Sequence, residues 1–122
     1  MTITDTHTHL YSEQFDEDRN EVIQRAINSG VTRFFIPAID STYTQSMLQL
    51  EQDFPENVHL MMGLHPTHVK DNYQEELQHV EELFAQRSFI AVGEIGIDLY
   101  WEKKLIEQQK KSFGCFAAVV VQ

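Results

Sequence analysis

Cysteine occurs once, at Cys115, so no disulfide can staple the chain to itself and a reducing, cytoplasmic setting is the expectation. Basic residues are scarce: nine Lys and Arg stand against nineteen Asp and Glu, for a net charge of −10. A surface of that sign repels a phosphate backbone, which excludes broad nucleic-acid binding by counterion release. A bound divalent cation would still reverse the sign locally and attract phosphate to one point. Long apolar runs are missing too. The longest, Phe116 to Val121, falls far short of the ~20 residues that cross a bilayer, so no membrane partner is expected. The opening M-T-I-T-D-T-H has neither a basic stretch nor an apolar one behind it, and no secretory leader is expected. What remains, 42% hydrophobic and 23% charged over 122 residues, is the composition of one globular domain.

Against that background the stretch Ile3 to Leu10, I-T-D-T-H-T-H-L, stands out. Strand alternation places Asp5, His7 and His9 on one face and Thr4, Thr6 and Thr8 on the other. Two imidazoles at i and i+2 on a stiff strand point the same way and are close enough to share one metal ion. Taken alone, an H-x-H pair recurs often by chance, so its weight depends on the rest of the chain.

Asp18 with Glu21 resembles a capping box, and Val22, Ile23, Ala26 and Ile27 follow at helical spacing up to Gly30, a residue suited to a helix C′ position. Val31 to Ala38 reads as a strand. Asp40 or Ser41 caps a second helix with the stripe Tyr43, Met47, Leu50 and Phe54, stopped by Pro55. Val58 to Leu64 is the third strand. A third helix carries the stripe Tyr73, Leu77, Val80 and Phe84, its opposite, solvated face holding Glu75, Glu76, Glu81 and Glu82. Phe89 to Ile95 is the fourth strand, and Trp101 to Phe113 the fourth helix, with Leu105, Ile106, Gln109 and Phe113 on one side. The order β-α-β-α-β-α-β-α, with inner strands that are nearly continuous apolar runs, indicates parallel strands covered by helices.

The ends of the four strands then fall at His9, Pro37, His65 and Glu94, at spacings of 28, 28 and 29 residues. In a (β/α) barrel the strand ends carry the active site. Three of these four ends bear a metal-capable or acid–base side chain, and that coincidence outweighs the bland reading of each alone. His7, His9 and Glu94 offer two nitrogens and a carboxylate to a divalent metal, leaving positions for water and substrate. Gly93 and Gly96 flank Glu94 and allow close approach. Asp5 is placed to orient an imidazole from behind. A two-histidine, one-carboxylate set also suits a non-haem iron oxygenase, which ranks lower for want of any cosubstrate pocket. His59, His68 and His79 have no evident partner and read as surface or packing residues.

Three passages, D-T-H-T-H-L at 5–10, G-L-H-P at 63–66 and V-G-E-I-G-I-D-L-Y at 92–100, resemble the TatD family of metal-dependent hydrolases. The resemblance runs in order to about Phe113. It implies an α/β fold, a TIM barrel of the amidohydrolase type, and a deoxyribonuclease-like hydrolase of phosphodiester bonds, a 3′–5′ DNA exonuclease by kind. His7, His9 and Glu94 would then bind divalent metal (Mg²⁺, Mn²⁺ or Zn²⁺, two ions in a complete site). Glu94 and His65 would be catalytic, with His65 against the substrate phosphate, and Asp98 and Tyr100 would belong to the loop after Glu94. The family pattern continues with two histidines and an aspartate on later strands, which lie beyond this chain. The expectation is therefore the N-terminal half, four βα units, of an incomplete (β/α)8 barrel over 1–113, and an apolar tail over 114–122 with β character in Phe116 to Val121. A half-barrel leaves two open sheet edges, through which self-association is expected. The alternatives are a non-catalytic truncated remnant with at most a weak metal site, and an amide or lactone hydrolase.

Overall fold

The computed structural model describes residues 1–121. Four parallel strands pair in the order β1-β2-β3-β4 and alternate with four helices. These are β1 (Ile3–Asp5), α1 (Arg19–Asn28), β2 (Val31–Ile36), α2 (Thr44–Asp53), β3 (Val58–Met62), α3 (Tyr73–Gln86), β4 (Ala91–Val92) and α4 (Ile106–Val121). Short 3₁₀ turns at Glu13–Phe15, Ser41–Tyr43 and Pro66–His68 lie in the connections. The sheet curls into half of a (β/α) barrel, as the βα periodicity indicated.

Alternation decides which face meets the helices. Phe34 and Ile36 on β2 and Val58, Leu60 and Met62 on β3 are buried, and they meet Ile23 of α1, Met47 and Leu50 of α2 and Val80 of α3 in one core. The intervening residues Phe35, His59 and Met61 point to the concave side and stay half-buried. Phe35 and His59 are direct partners in the β2–β3 register, their rings edge to face at 5.8 Å. Large apolar residues are exposed near both sheet edges, Ile3 on β1 and Ile90 just before β4.

Several boundaries differ from the sequence reading, each for a local reason. The first strand stops at Asp5 rather than Leu10, because the Asp5 carboxylate accepts from the His7 backbone N–H (3.1 Å) and turns the chain. Asp18 precedes α1 but its side chain makes no cap bond, so the expected capping box is not formed. The α1 start is held instead by the Arg19 guanidinium, which donates to the carbonyls of Leu10 (2.7 Å), Tyr11 (3.2 Å) and Ser12 (3.0 Å). Asp40 does cap, accepting from Thr42 N (2.9 Å). Gly30 holds φ at +102°, in the left-handed region where its missing side chain is needed.

Glu76 is a correction. It is not on a solvated face but 7% exposed, and it accepts from Ser41 N (2.9 Å) and Ser41 Oγ (2.7 Å), tying α3 to the turn before α2. The fourth helix starts later than Trp101 and runs on through Val121, so the β character expected for Phe116 to Val121 is replaced by helix. Its buried residues Gln109, Ser112 and Phe116 recur at helical spacing, whereas Phe113, expected inside, is 41% exposed. Among the described residues no helix is long and apolar enough to cross a membrane.

Candidate metal centre

The fourth strand is brief because its continuation serves another purpose. Gly93 N donates to Met62 O (3.0 Å), and then the chain crosses to β2: Ala38 N donates to Gly93 O (3.0 Å) and Glu94 N to Ala38 O (3.1 Å). The crossing passes directly over Gly63. A Cβ at Gly63 would lie 2.8 Å from Glu94 O and 2.9 Å from Gly93 C, so only glycine admits this path.

The crossing carries the Glu94 carboxylate toward β1. In a flat sheet with strands ~4.8 Å apart, the first and fourth would be ~14 Å apart. Curling and inward-pointing side chains close that gap. Glu94 Oε2 lies 3.2 Å from His7 Nε2 and 3.5 Å from His9 Nε2, and its Oε1 lies 3.0 Å from His65 Nε2. One ligand-capable atom from each of His7, His9 and Glu94 falls within 4.8 Å of the others.

This arrangement suits a cation. Glu94 Oε2 is buried with no hydrogen-bond partner, while two ring nitrogens converge on it. A buried carboxylate oxygen left without a donor is costly, and an ion between it and the imidazoles would remove that cost. Burial, reinforced by the neighbouring imidazoles of His7 and His65, holds the His9 pKa below its ordinary value despite the Glu94 charge. Burial likewise lowers His65, against the pull of Glu94. Both rings are therefore neutral near pH 7.

His9 Nδ1 lies 2.8 Å from the Tyr11 hydroxyl, which donates to Pro37 O at 2.8 Å. Burial pushes the Tyr11 phenol well above its ordinary pKa, so the hydroxyl keeps its proton. His65 Nδ1 accepts from Thr67 N (3.1 Å) and sits 2.7 Å from Thr67 Oγ1. Neutral His65 then carries its proton on Nε2, facing Glu94.

Asp5, expected to orient an imidazole, holds the His7 backbone instead. Asp98 organises its own loop, its Oδ1 accepting from Tyr100 N (3.0 Å), Trp101 N (2.6 Å) and Glu102 N (3.2 Å). Those backbone bonds, Trp101 foremost, lower its pKa. The fully buried Gln109 clamps the same loop, accepting from Asp98 N (2.7 Å) and donating to Asp98 O and Glu102 O (3.1 Å each). Tyr100 is 77% exposed and makes an edge contact with Trp101.

Two histidines without a foreseen partner have one. His79 Nε2 lies 2.8 Å from Thr44 Oγ1, and His68 Nδ1 lies 2.6 Å from Asp40 Oδ2. Burial raises the Asp40 carboxyl, but hydrogen bonds from Thr42 and His68 outweigh it and leave the pKa below the ordinary 3.8. A depressed carboxyl contributes stability above the unfolded value and loses it as pH falls through the folded one. Thermal melts from about pH 5 to about pH 2 are expected to show Asp40→Asn losing less stability with acid than the parent. Identical acid slopes would remove Asp40 from the account.

Sequence reasoning missed Tyr11, Thr67 and the Asp40–His68 pair, and it placed Gln109 in the fourth helix's stripe without its hold on the Asp98 loop. Tyr11 at i+2 from His9 was visible in principle as a continuation of the same alternation. Asp40 and His68 come from different βα units, and nothing local joins them.

A family model described as "TatD related DNase" matches residues 4–120. The chain is similar to YabD of Bacillus subtilis, named an uncharacterized metal-dependent hydrolase, at 38% identity over 89% of this chain and 42% of that protein. It is similar to a 3′-5′ ssDNA/RNA exonuclease TatD of Erwinia tasmaniensis at 29% identity, over 97% of this chain and 46% of that protein. The crystal structure of YjjV, a TatD homolog of Escherichia coli, superposes with a TM-score of 0.86 at 26% identity, covering 97% of this chain and 46% of that one. The chain thus spans less than half the length of these relatives.

Proposed function

Because the chain belongs to the TatD-related DNase family, we propose that its centre holds a divalent metal ion and serves hydrolysis of phosphodiester bonds in single-stranded nucleic acid. The observation that carries the reading is the convergence of His7 Nε2, His9 Nε2 and the unpartnered Glu94 Oε2 on one point. A divalent ion supplies Lewis acidity there: it makes water easier to deprotonate and offsets charge that builds on a phosphoryl oxygen. Two imidazoles and a carboxylate favour Zn²⁺ or Mn²⁺ over Mg²⁺.

The protein's own residues have distinct parts in this scheme. His7 and His9 present lone pairs from the loop after β1. Glu94 would hold the ion through Oε2, while its Oε1 lies 3.0 Å from His65 Nε2. His65, its proton set on Nε2 by Thr67 and facing Glu94 Oε1 in this structure, is assigned to redirect that hydrogen bond to a phosphoryl oxygen when substrate binds. Water attacks phosphorus and gives up a proton to solvent, the P–O bond to the leaving sugar breaks, and the leaving oxygen takes up a proton from solvent. With a net charge of −10, the protein has little general attraction for a polyanion. Recognition concentrated at the ion therefore predicts a shallow dependence of binding on salt.

The test is purified chain with Mn²⁺ or Zn²⁺ and a labelled single-stranded DNA. Metal-dependent cleavage that His7→Ala removes is the expected result. Cleavage at full rate in that variant would assign the activity elsewhere, and stoichiometric metal binding without cleavage would leave a metal-binding chain and overturn the hydrolase reading. A panel of amide and lactone substrates separates the other hydrolase chemistry.

A further inference from the structure

Two histidines at this centre face the same carboxylate yet are held from behind in opposite ways. Behind His65, the partner of Nδ1 is a backbone N–H, which can only donate. Behind His9, the partner of Nδ1 is the Tyr11 hydroxyl, whose single proton is already given to Pro37 O. A hydroxyl that donates to a carbonyl has only lone pairs to offer a second neighbour.

We infer that Tyr11 is a positioning residue that sets the tautomer of His9, keeping its proton on Nδ1 so that Nε2 is a lone pair aimed at the metal position. The bond chain runs His9 Nδ1–H to Tyr11 Oη, and Tyr11 Oη–H to Pro37 O. Pro37 lies at the end of β2, so the chain also fixes the loop after β1 to its neighbouring strand. Tyr11 is only 3% exposed, its ring packing edge-on against His9 (5.6 Å between centroids) and tilted against Tyr43 (5.3 Å). With the Tyr11 proton given to the Pro37 carbonyl, which can only accept, the bond chain is complete when His9 Nδ1 carries its proton.

The difference between the two rings sorts their roles. His9 offers a lone pair and is built as a ligand. His65 offers an N–H and is built as a donor. Partners behind a metal-ligating histidine that fix its tautomer commonly govern affinity by ~10–100-fold when removed. The inference rests on the metal-centre reading, but its first test does not need the metal.

That test is the protonation pattern of the histidine rings in the metal-free chain, read by long-range proton–nitrogen correlation spectra near pH 7.5. The Nδ1–H form at His9 is expected, with the Nε2–H form at His65. An Nε2–H form at His9 in the parent chain overturns the inference, whatever the metal does. The second test is Tyr11→Phe, which keeps the buried ring and removes only the hydroxyl. His9 is then expected to show a mixture of tautomers, and calorimetric titration with Zn²⁺ to show affinity lowered ~10–100-fold. Unchanged tautomer and unchanged affinity in a folded Tyr11→Phe variant would also overturn it. If the parent binds no Zn²⁺ at all, the metal-centre reading fails and the ring spectra alone decide the inference.

Discussion

Replacing Glu94 by Gln is expected to abolish stoichiometric binding of a divalent ion and any hydrolysis that depends on it, while the chain stays folded. Glu94 is the carboxylate on which His7, His9 and His65 all converge, within 3.0 to 3.5 Å. Gln has the same shape and removes the charge. The loss in affinity should exceed the roughly 10–100-fold caused by removing a partner behind a ligand, because the proposed ligand itself is changed. Stability without metal should be unchanged or slightly higher. The Gln amide still accepts from His65 and can donate to a ring nitrogen that now faces a carboxylate oxygen with no proton between them. Calorimetry with Zn²⁺ and thermal melting of the metal-free variant give the two readings. A variant that binds the ion as tightly as the parent would move the metal centre away from Glu94.

The second large effect is expected at Gly63, a residue that offers no ligand atom of its own. An alanine there would place Cβ 2.8 Å from Glu94 O and 2.9 Å from Gly93 C, and both obstacles are backbone. The crossing of Gly93–Glu94 onto Ala38 must shift, and with it the carboxylate. Overpacking of this kind costs about 1–3 kcal/mol in stability. The larger consequence is for the centre, since a displaced Glu94 no longer faces His7 and His9. Gly63→Ala should therefore lose metal binding more completely than Tyr11→Phe, with a lower melting temperature as well. The paired measurement is calorimetry and melting on both variants. Full binding in Gly63→Ala would show that the crossing tolerates a side chain and that the close approach is not what fixes Glu94.

The strand-end register His9, Pro37, His65 and Glu94 was legible because βα units repeat at nearly constant length and side chains at strand ends face one mouth. The structure brings three of the four together and uses the carbonyl of the other, Pro37, as the anchor for Tyr11. Helix stripes were legible too, since Ile23, Met47, Leu50 and Val80 recur with helical period against an apolar sheet face. Much of what resisted reading was decided by a partner remote in sequence. Glu76 looks like one more solvated acid until Ser41 donates to it twice. The stretch after Phe113 looks like a strand by composition, but Ser112 and Phe116 find the core only as a helix. Asp5 shares a face with the histidines in an ideal strand, and a side-chain bond to its own backbone neighbour ends that strand before the histidines are reached.

The curl of the sheet has a consequence for how the centre comes into being. The side chains proposed to hold the ion come from the segments just after β1 and β4, and His9 and Glu94 are 85 residues apart in the chain (94 − 9). A contact of that separation carries a large loop-closure cost, which the intervening strand pairings lower by bringing its ends together. An ion held there would act as a clasp between the outermost staves of the half-barrel, binding the folded chain and not the unfolded one. Its affinity would then be a measure of the whole sheet's integrity: at 100 times its dissociation constant it would add about 2.7 kcal/mol to global stability. Loosening β2 or β3, which supply no ligand, would release it as surely as losing a histidine.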